Sequence, residues 1–505
     1  MSWDRVPLFL VFCGIGGVMM LPVAFFAAIN GSSAVAWTFL VNGIVLTAFS
    51  VIVALARNNR PLPNQARQQL FGLFGSVTAL PLFLAVPLSA TVPSMTYLDA
   101  YVEMVSCITT TGLTLVPIQI PVDDSIHLFR ALTGWMGGFA IWVAAISIFS
   151  PLRLGGFELM LPPVKEQLHV GAWGRDKANR SSLAQLRRHT ADLAPIYGGL
   201  TFLLWVLLLM IGEDPFVALC HAMSTLATSG ITPLLNFSDS DVHVGAELVI
   251  FAFFAFALTR RSFSSDLPST ARMPLRRDPE LRVALAVILM TVLVLVARHW
   301  YVAAELRTPP SFALAIQALW GGVFTSLSFL TTTGFVSDNW SETQLWSSIT
   351  TPGALLMGLA LVGGGVATTA GGVKLLRIYV LYKHGQQEVS RLIHPSSVGG
   401  LGSSGRWVPA QAAFMAWLFF MIVALSITTT MLALSATGLD FETSTVLTLA
   451  AISTTGPLTD VAISPPIDLR NLDIAAKLLL AGAMALGRLE TLAIIALLNP
   501  DFWRK

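Results

Sequence analysis

The sequence predicts an all-α polytopic membrane protein. One unit (span, short helix, Thr-Gly phrase, span) occurs four times after an extra two-helix hairpin. Three observations predict this. Hydrophobic residues fill 54% of the 505 positions and charged residues only 11%, less than half the roughly 25% that covers a typical soluble domain. Apolar stretches of about twenty residues, enough for one bilayer crossing, recur from end to end. A hydroxyl-rich phrase ending in glycine is written four times: TTTG at 109–112, ATSG at 227–230, TTTG at 331–334 and STTG at 453–456, with the glycines 118, 104 and 122 residues apart. The period-two alternation of barrel strands is absent.

Spans are expected at 7–28, 34–56, 69–90, 128–150, 194–212, 244–259, 282–300, 353–373, 408–434 and 473–498. The first is read as a retained helix, with signal-peptide cleavage as the alternative. Shorter apolar stretches at 97–108, 215–226, 312–330 and 441–452 each run directly into one of the phrases. Lysine and arginine concentrate at 57–67 (three), 151–190 (seven), 260–282 (six) and 374–406 (five), while the intervening loops carry Asp123, Asp124, Asp239, Asp241, Asp338, Glu342 and Asp460. The positive-inside rule then places the basic loops and both termini in the cytoplasm. That topology closes only if each short stretch enters and leaves on the outer side, as a re-entrant pore helix. The expected divisions are a hairpin at 1–60 and repeats at 61–190, 191–280, 281–405 and 406–505. Four such repeats surround a pseudo-fourfold pore axis.

Irregular backbone at membrane depth is tolerated only where it is buried in protein or lines a wet cavity. Glycine lets carbonyls turn toward an axis, and four copies make rings of oxygen that replace the hydration shell of a monovalent cation. The expected filter residues are Thr110, Thr111 and Gly112; Thr228, Ser229 and Gly230; Thr332, Thr333 and Gly334; and Thr454, Thr455 and Gly456. The pore helices aim their partly negative C-terminal ends at the centre, which favours a cation. No carboxylate ring accompanies the phrases, which disfavours calcium. Close helix packing by small residues is the alternative reading of any single phrase.

The stretch VGGGVATTAGGVKLLR at 362–377 interrupts the expected span 353–373. Five glycines at about 1 kcal/mol each would wreck a continuous helix. Gly363, Gly364, Gly365, Thr368, Thr369, Gly371 and Gly372 are therefore read as an unwound gate, with a glycine-rich packing face as the alternative. Arg488, ionisable within an apolar span, is expected near the inner mouth; the alternatives are a pair with Glu490 or snorkelling. Lys374 is assigned to the gate or, equally, to a positive-inside anchor. His221 falls in a pore helix, where a hydrogen-bonded structural role is expected. Cys13, Cys107 and Cys220, all in apolar segments, read as packing residues. No Cys/His spacing suits a metal site, and no nucleophile–base–orienter set stands out, so no enzyme is expected. A lipid-linked transferase would need clustered carboxylates or histidines at one face. A non-transporting scaffold would not need four oxygen-rich phrases.

Together with LFRALTGWMGGFAIWVAAISIFSP, CHAMSTLATSGITP, FLTTTGFVSDNW and ALGRLETLAIIALLNPDFW, these motifs resemble the Trk/Ktr/HKT superfamily of potassium transporters, TrkH/TrkG type, over nearly the whole chain. The leading hairpin also suits that type. The resemblance implies potassium uptake across the bacterial inner membrane, with Gly112, Gly230, Gly334 and Gly456 as filter glycines and potassium bound at the filter. It implies no covalent cofactor. It implies that 363–372 is the intramembrane gating loop and Arg488 the arginine beneath it. It further implies a homodimer seated on a separate cytosolic nucleotide-binding regulator of the TrkA type, with no nucleic-acid partner. Some relatives with serine at the first of the filter-glycine positions pass sodium; this chain has glycine at all four, which favours potassium. It departs from the family at Ser229, at Pro457-Leu458-Thr459 where Gly-Pro-Gly is commoner, and in FAFALTRRSFSSD.

Overall fold

The computed structural model describes residues 6–57, 65–116, 122–149, 182–234, 243–259, 278–306, 312–349, 351–393 and 410–489. The hairpin is α1 (Leu8–Ile29) and α2 (Ser33–Arg57). The first unit holds α3 (Gln65–Thr78), α4 (Leu80–Thr91), α5 (Tyr97–Ile108) and α6 (Asp124–Ala144), the last running on as a π turn at Ala145–Phe149. The second holds α7 (Ser182–Ile211), α8 (Pro215–Ala227) and α9 (His243–Leu258). The third holds α10 (Pro279–Leu306), α11 (Phe312–Leu330), α12 (Trp340–Ser347), α13 (Pro352–Val362) and α14 (Leu375–Ile393). The fourth holds α15 (Ala410–Ser435), α16 (Phe441–Ser453), the single turn α17 (Leu458–Val461) and α18 (Ile474–Leu489). The repeat divisions at 190/191 and 280/281 fall inside α7 and α10, and those at 60/61 and 405/406 lie outside the described residues.

Among the described residues seven helices are long and apolar enough to cross a membrane, or eight if the pair α12 and α13, bent by 117°, counts as one. Ten spans were expected. The three that fall short are α9, α13 and α18, described over 16, 11 and 16 residues. The expected span 353–373 is corrected: helix ends at Val362 and resumes only at Leu375. The expected span 473–498 is described only to Leu489. α12 has no counterpart among the sequence expectations.

Several acids of the loops poor in lysine and arginine have local work to do. Asp123, Asp214 and Asp440 cap α6, α8 and α16 by accepting backbone N–H groups of the first turn, and Thr96 with Asp99 forms a capping box on α5. Such caps stabilise a helix start by about 1 kcal/mol each. Hydrogen bonds from Thr443 also hold the exposed Asp440 carboxyl below its ordinary pKa.

The units close into a ring. Each first span packs on its own pore helix: α4 on α5, α7 on α8, α10 on α11 and α15 on α16. Each second span packs on the pore helix of the next unit: α6 on α8, α9 on α11, α13 on α16, and α18 back on α5. The order around the axis is therefore one, two, three, four. The hairpin lies outside this ring, with α1 against α3, α4 and α6. Large apolar side chains such as Phe25, Trp37, Phe202, Met210, Leu289 and Leu432 face outward, as lipid contact requires.

Candidate cation pathway at the centre of the ring

All four pore helices end in the same hydrogen-bonded loop. The residue before the glycine donates its N–H five residues back: Thr111 to Ser106, Ser229 to Ser224, Thr333 to Ser328 and Thr455 to Ala450, at 2.8–3.0 Å. The residue before that donates three residues back: Thr110 to Cys107, Thr228 to Thr225, Thr332 to Phe329 and Thr454 to Ala451. This is the Schellman pattern, whose left-handed position is ordinarily glycine. Here threonine holds it every time, with φ of 52° at Thr110, 51° at Thr228, 57° at Thr332 and 55° at Thr454. A β-branched residue there is strained by about 1–3 kcal/mol, and such strain concentrates at functional sites.

The glycines sit where adjacent units touch. A Cβ on Gly112 would strike the Ser229 carbonyl, one on Gly230 the Thr333 carbonyl, one on Gly334 the Pro457 ring, and one on Gly456 the Thr111 carbonyl and Gly112 backbone. These contacts repeat the one-to-four order of the helices. Gly112, Gly230 and Gly334 have φ of 76°, 65° and 85°, whereas Gly456 lies outside the left-handed region. Its N–H donates sideways to the Thr111 carbonyl (2.5 Å), and its own carbonyl accepts from the N–H and the hydroxyl of Thr459. The Pro457 ring rests against both Gly230 and Gly334. Since unit two stands diagonally across from unit four, this proline reaches over the axis.

The phrase hydroxyls divide into two sets. Those next to the glycine turn back into the protein: Thr111 to Thr109 (2.7 Å), Ser229 to Ser224 (3.1 Å), Thr333 to Thr331 (3.1 Å) and Thr455 to the Ser453 carbonyl (3.4 Å). Those of the left-handed threonines are differently placed. Thr228 donates to Ala227, Thr332 accepts from Gly371, and the hydroxyls of Thr110 and Thr454 are fully buried with no partner among the described residues. A buried hydroxyl without a partner costs about 1–3 kcal/mol, so the position suits an oxygen-seeking ligand.

The glycine-rich stretch 363–374 lies directly against the phrases. The Gly371 N–H donates to the Thr332 hydroxyl (2.7 Å), and the Thr369 hydroxyl donates to the Leu226 carbonyl (3.0 Å). A Cβ on Gly371 would strike the Ser453 carbonyl and the Thr454 hydroxyl. Other bonds fasten the stretch from outside: Gly365 N–H to the Ala257 carbonyl, Val366 N–H to the Glu280 carboxylate (2.9 Å), and Arg488 to the Thr369 carbonyl (2.6 Å). Thr368 bonds back to Gly365, and a Cβ on Gly363, Gly364 or Gly372 would also strike neighbouring backbone. Arg488 is 4% exposed and Lys374 6%, the latter donating to the Ala370 carbonyl. Neither snorkels. Glu490, the alternative partner of Arg488, lies outside the described residues. Two donors of Arg488, Nε and Nη2, are buried without a partner among the described residues.

Several ionisable groups behind the phrases were not singled out from sequence. Glu103 accepts from Leu115 N–H and from Arg130 (2.6 Å each), and Glu247 accepts from Asp338 N–H (2.8 Å) and Trp320 (2.5 Å). His221 bridges Glu213 (2.8 Å) and Thr232 (3.0 Å), which agrees with its expected structural role. The signal available in the sequence was an acid within an otherwise apolar short helix, as in AYVEMVSC. All three cysteines are buried and free.

The family model for TrkH, described as a cation transport protein, matches residues 37–504. The Trk system potassium uptake protein TrkH of Halomonas elongata is 32% identical over 453 residues, covering 86% of this chain and 84% of that one. Its namesake from Escherichia coli is 28% identical over 440 residues, with the same coverage. The crystal structure of the potassium transporter TrkH from Vibrio parahaemolyticus superposes over 100% of both chains, with a TM-score of 0.79 at 25% identity. A ring of four helix–phrase–helix units in a multi-pass, nearly all-helical chain is thus shared with transport proteins rather than with enzymes, and the chain belongs to the TrkH family of cation transport proteins.

Proposed function

We propose that this chain takes up potassium through the centre of the ring. Thr110, Thr228, Thr332 and Thr454 with Gly112, Gly230, Gly334 and Gly456 form the filter, and Thr111, Ser229, Thr333 and Thr455 fix its backbone. The carrying observation is the fourfold left-handed threonine, two of whose buried hydroxyls lack a partner among the described residues. Ions binding there are cargo, held by oxygen alone, which suits a monovalent cation shedding its water. The membrane potential supplies about 2.3 kcal/mol per charge per 100 mV.

Residues 363–374 act as the gate, since they contact the phrases from one side and Arg488 from the other. The guanidinium adds positive charge beneath the filter, and displacing the stretch removes both obstacles. The names of the relatives speak of a Trk system. This supports a separate regulatory chain, which we assign to the TrkA-type nucleotide-binding class, acting on a homodimer in the inner membrane with both termini cytoplasmic. On this reading the chain divides into a hairpin and four pore repeats, expected at 1–60, 61–190, 191–280, 281–405 and 406–505, with the second and third repeats taking the whole of α7 and α10.

Uptake of radioactive rubidium into cells that lack their own potassium uptake and express this chain tests the reading. Potassium should suppress the uptake at far lower concentration than sodium. Equal suppression by both ions would overturn it.

A further inference from the structure

Counting back nine residues from each filter glycine gives Glu103, His221, Thr325 and Leu447, every one fully buried on its pore helix. In three units this side chain reaches the outgoing limb beyond the glycine. Glu103 accepts the N–H of Leu115, three residues past Gly112 (2.6 Å). Thr325 accepts the N–H of Ser337, three residues past Gly334 (3.2 Å). His221 bonds the hydroxyl of Thr232, two residues past Gly230 (3.0 Å). Two of the three are themselves backed: Glu103 by Arg130 on α6, His221 by Glu213 at the end of α7. In the fourth unit the position is leucine, and there the glycine is not left-handed and the chain turns at once into α17.

We propose that Glu103, His221 and Thr325 are positioning residues for ion selectivity. By tying each outgoing limb to its own pore helix they fix how closely the glycine carbonyls approach the axis, and so which monovalent cation the ring fits. The inference rests on the potassium-filter reading and deepens it. Three facts carry it: the common register, the common target on the limb, and the coincidence of the one apolar occupant with the one divergent glycine. Cations of equal charge are told apart by the number and spacing of the oxygens around them. A limb freed from its pore helix can draw in to a smaller ion. None of these side chains needs to meet the ion.

The test uses the purified full chain and reads thermal unfolding as potassium or sodium replaces choline. An ion bound only by the folded state raises the unfolding temperature with its concentration. This readout does not require an open gate. Thr325→Val keeps side-chain volume and removes the acceptor for Ser337; Thr325→Ser keeps the acceptor. Thr232→Val removes the partner of His221 from the limb side, leaving the pore helix untouched. Expected is a ratio of half-stabilising sodium to potassium that falls about tenfold in Thr325→Val and Thr232→Val, a shift of the size one hydrogen bond supports, and stays at the wild-type value in Thr325→Ser. If both valine variants keep the wild-type ratio, or if Thr325→Ser loses it equally, the proposal is overturned. If the wild type itself does not distinguish the ions, the filter reading fails first. Should Thr325→Val not fold, Thr232→Val decides alone.

Discussion

In the third unit the chain leaves Gly334 as an outgoing limb, tied at Ser337 by Thr325 and at Asp338 by Glu247. In the fourth it leaves Gly456 by coiling into Leu458–Val461, with both backbone groups of the glycine already bonded. The pore helices themselves end identically, down to the left-handed threonine. The difference teaches that the repeat conserves how the helix stops and lets the outgoing half diverge. Three quadrants are held from behind. The fourth is held from the side, by Thr111 of unit one, and places a proline against the glycines of units two and three.

Alanine scanning of the glycines is the severest way to break this comparison. Gly334→Ala meets both a left-handed φ and the Pro457 ring, so uptake should fall to background. Gly456→Ala has no left-handed φ to satisfy, but its Cβ would lie no more than 2.6 Å from backbone atoms of Leu113, Gly112 and Thr111, so its uptake should also fall to background at equal expression. Uptake surviving in either variant, read with rubidium, would break the close-contact ring. Asp99→Asn comes next. Asp99 and Lys477 form an ion pair (2.6 Å) whose side chains are each 8% exposed, and breaking a buried pair from one side costs about 3–5 kcal/mol. Thermal unfolding should fall by several degrees, and the double variant Asp99→Leu with Lys477→Met should recover much of it. Arg488→Ala removes a charge-assisted bond of about 1.5–3 kcal/mol from the stretch 363–374, so basal rubidium uptake should rise roughly ten- to a hundredfold, since 1.4 kcal/mol is one decade. Unchanged basal uptake would detach Arg488 from the gate. The smallest effect is expected for Leu447→Thr, which sharpens the comparison. It supplies the hydroxyl of unit three where no outgoing limb stands to receive it, so unfolding temperature should drop modestly and ion preference stay put.

The four pore helices were legible because apolar runs stop at strong signals. The stretches 97–108, 215–226, 312–330 and 441–452 match α5, α8, α11 and α16 to within a residue at either end. The break after Val362 was legible from glycine content, although the expected span ran on to 373. Left-handed threonine was not legible, because local propensity argues against it and only the surrounding ring enforces it. The ties behind the phrases were hidden for a related reason. Glu247 belongs to α9 yet serves Asp338 and Trp320 of the next unit, and no local pattern pairs residues so far apart. α12 escaped notice because its eight residues are mostly polar and carry no clear helical stripe.

The Asp99–Lys477 pair also bears on how the protein is made. It fastens α18 to α5, the joint where the ring returns to its beginning. Asp99 emerges from the ribosome early and waits for almost the entire chain to be translated before its lysine arrives. The first unit therefore spends synthesis with one flank open, and the ring can close only once α18 is made. A chain that stops short of α18 leaves Asp99 without the lysine that pairs with it in the finished fold.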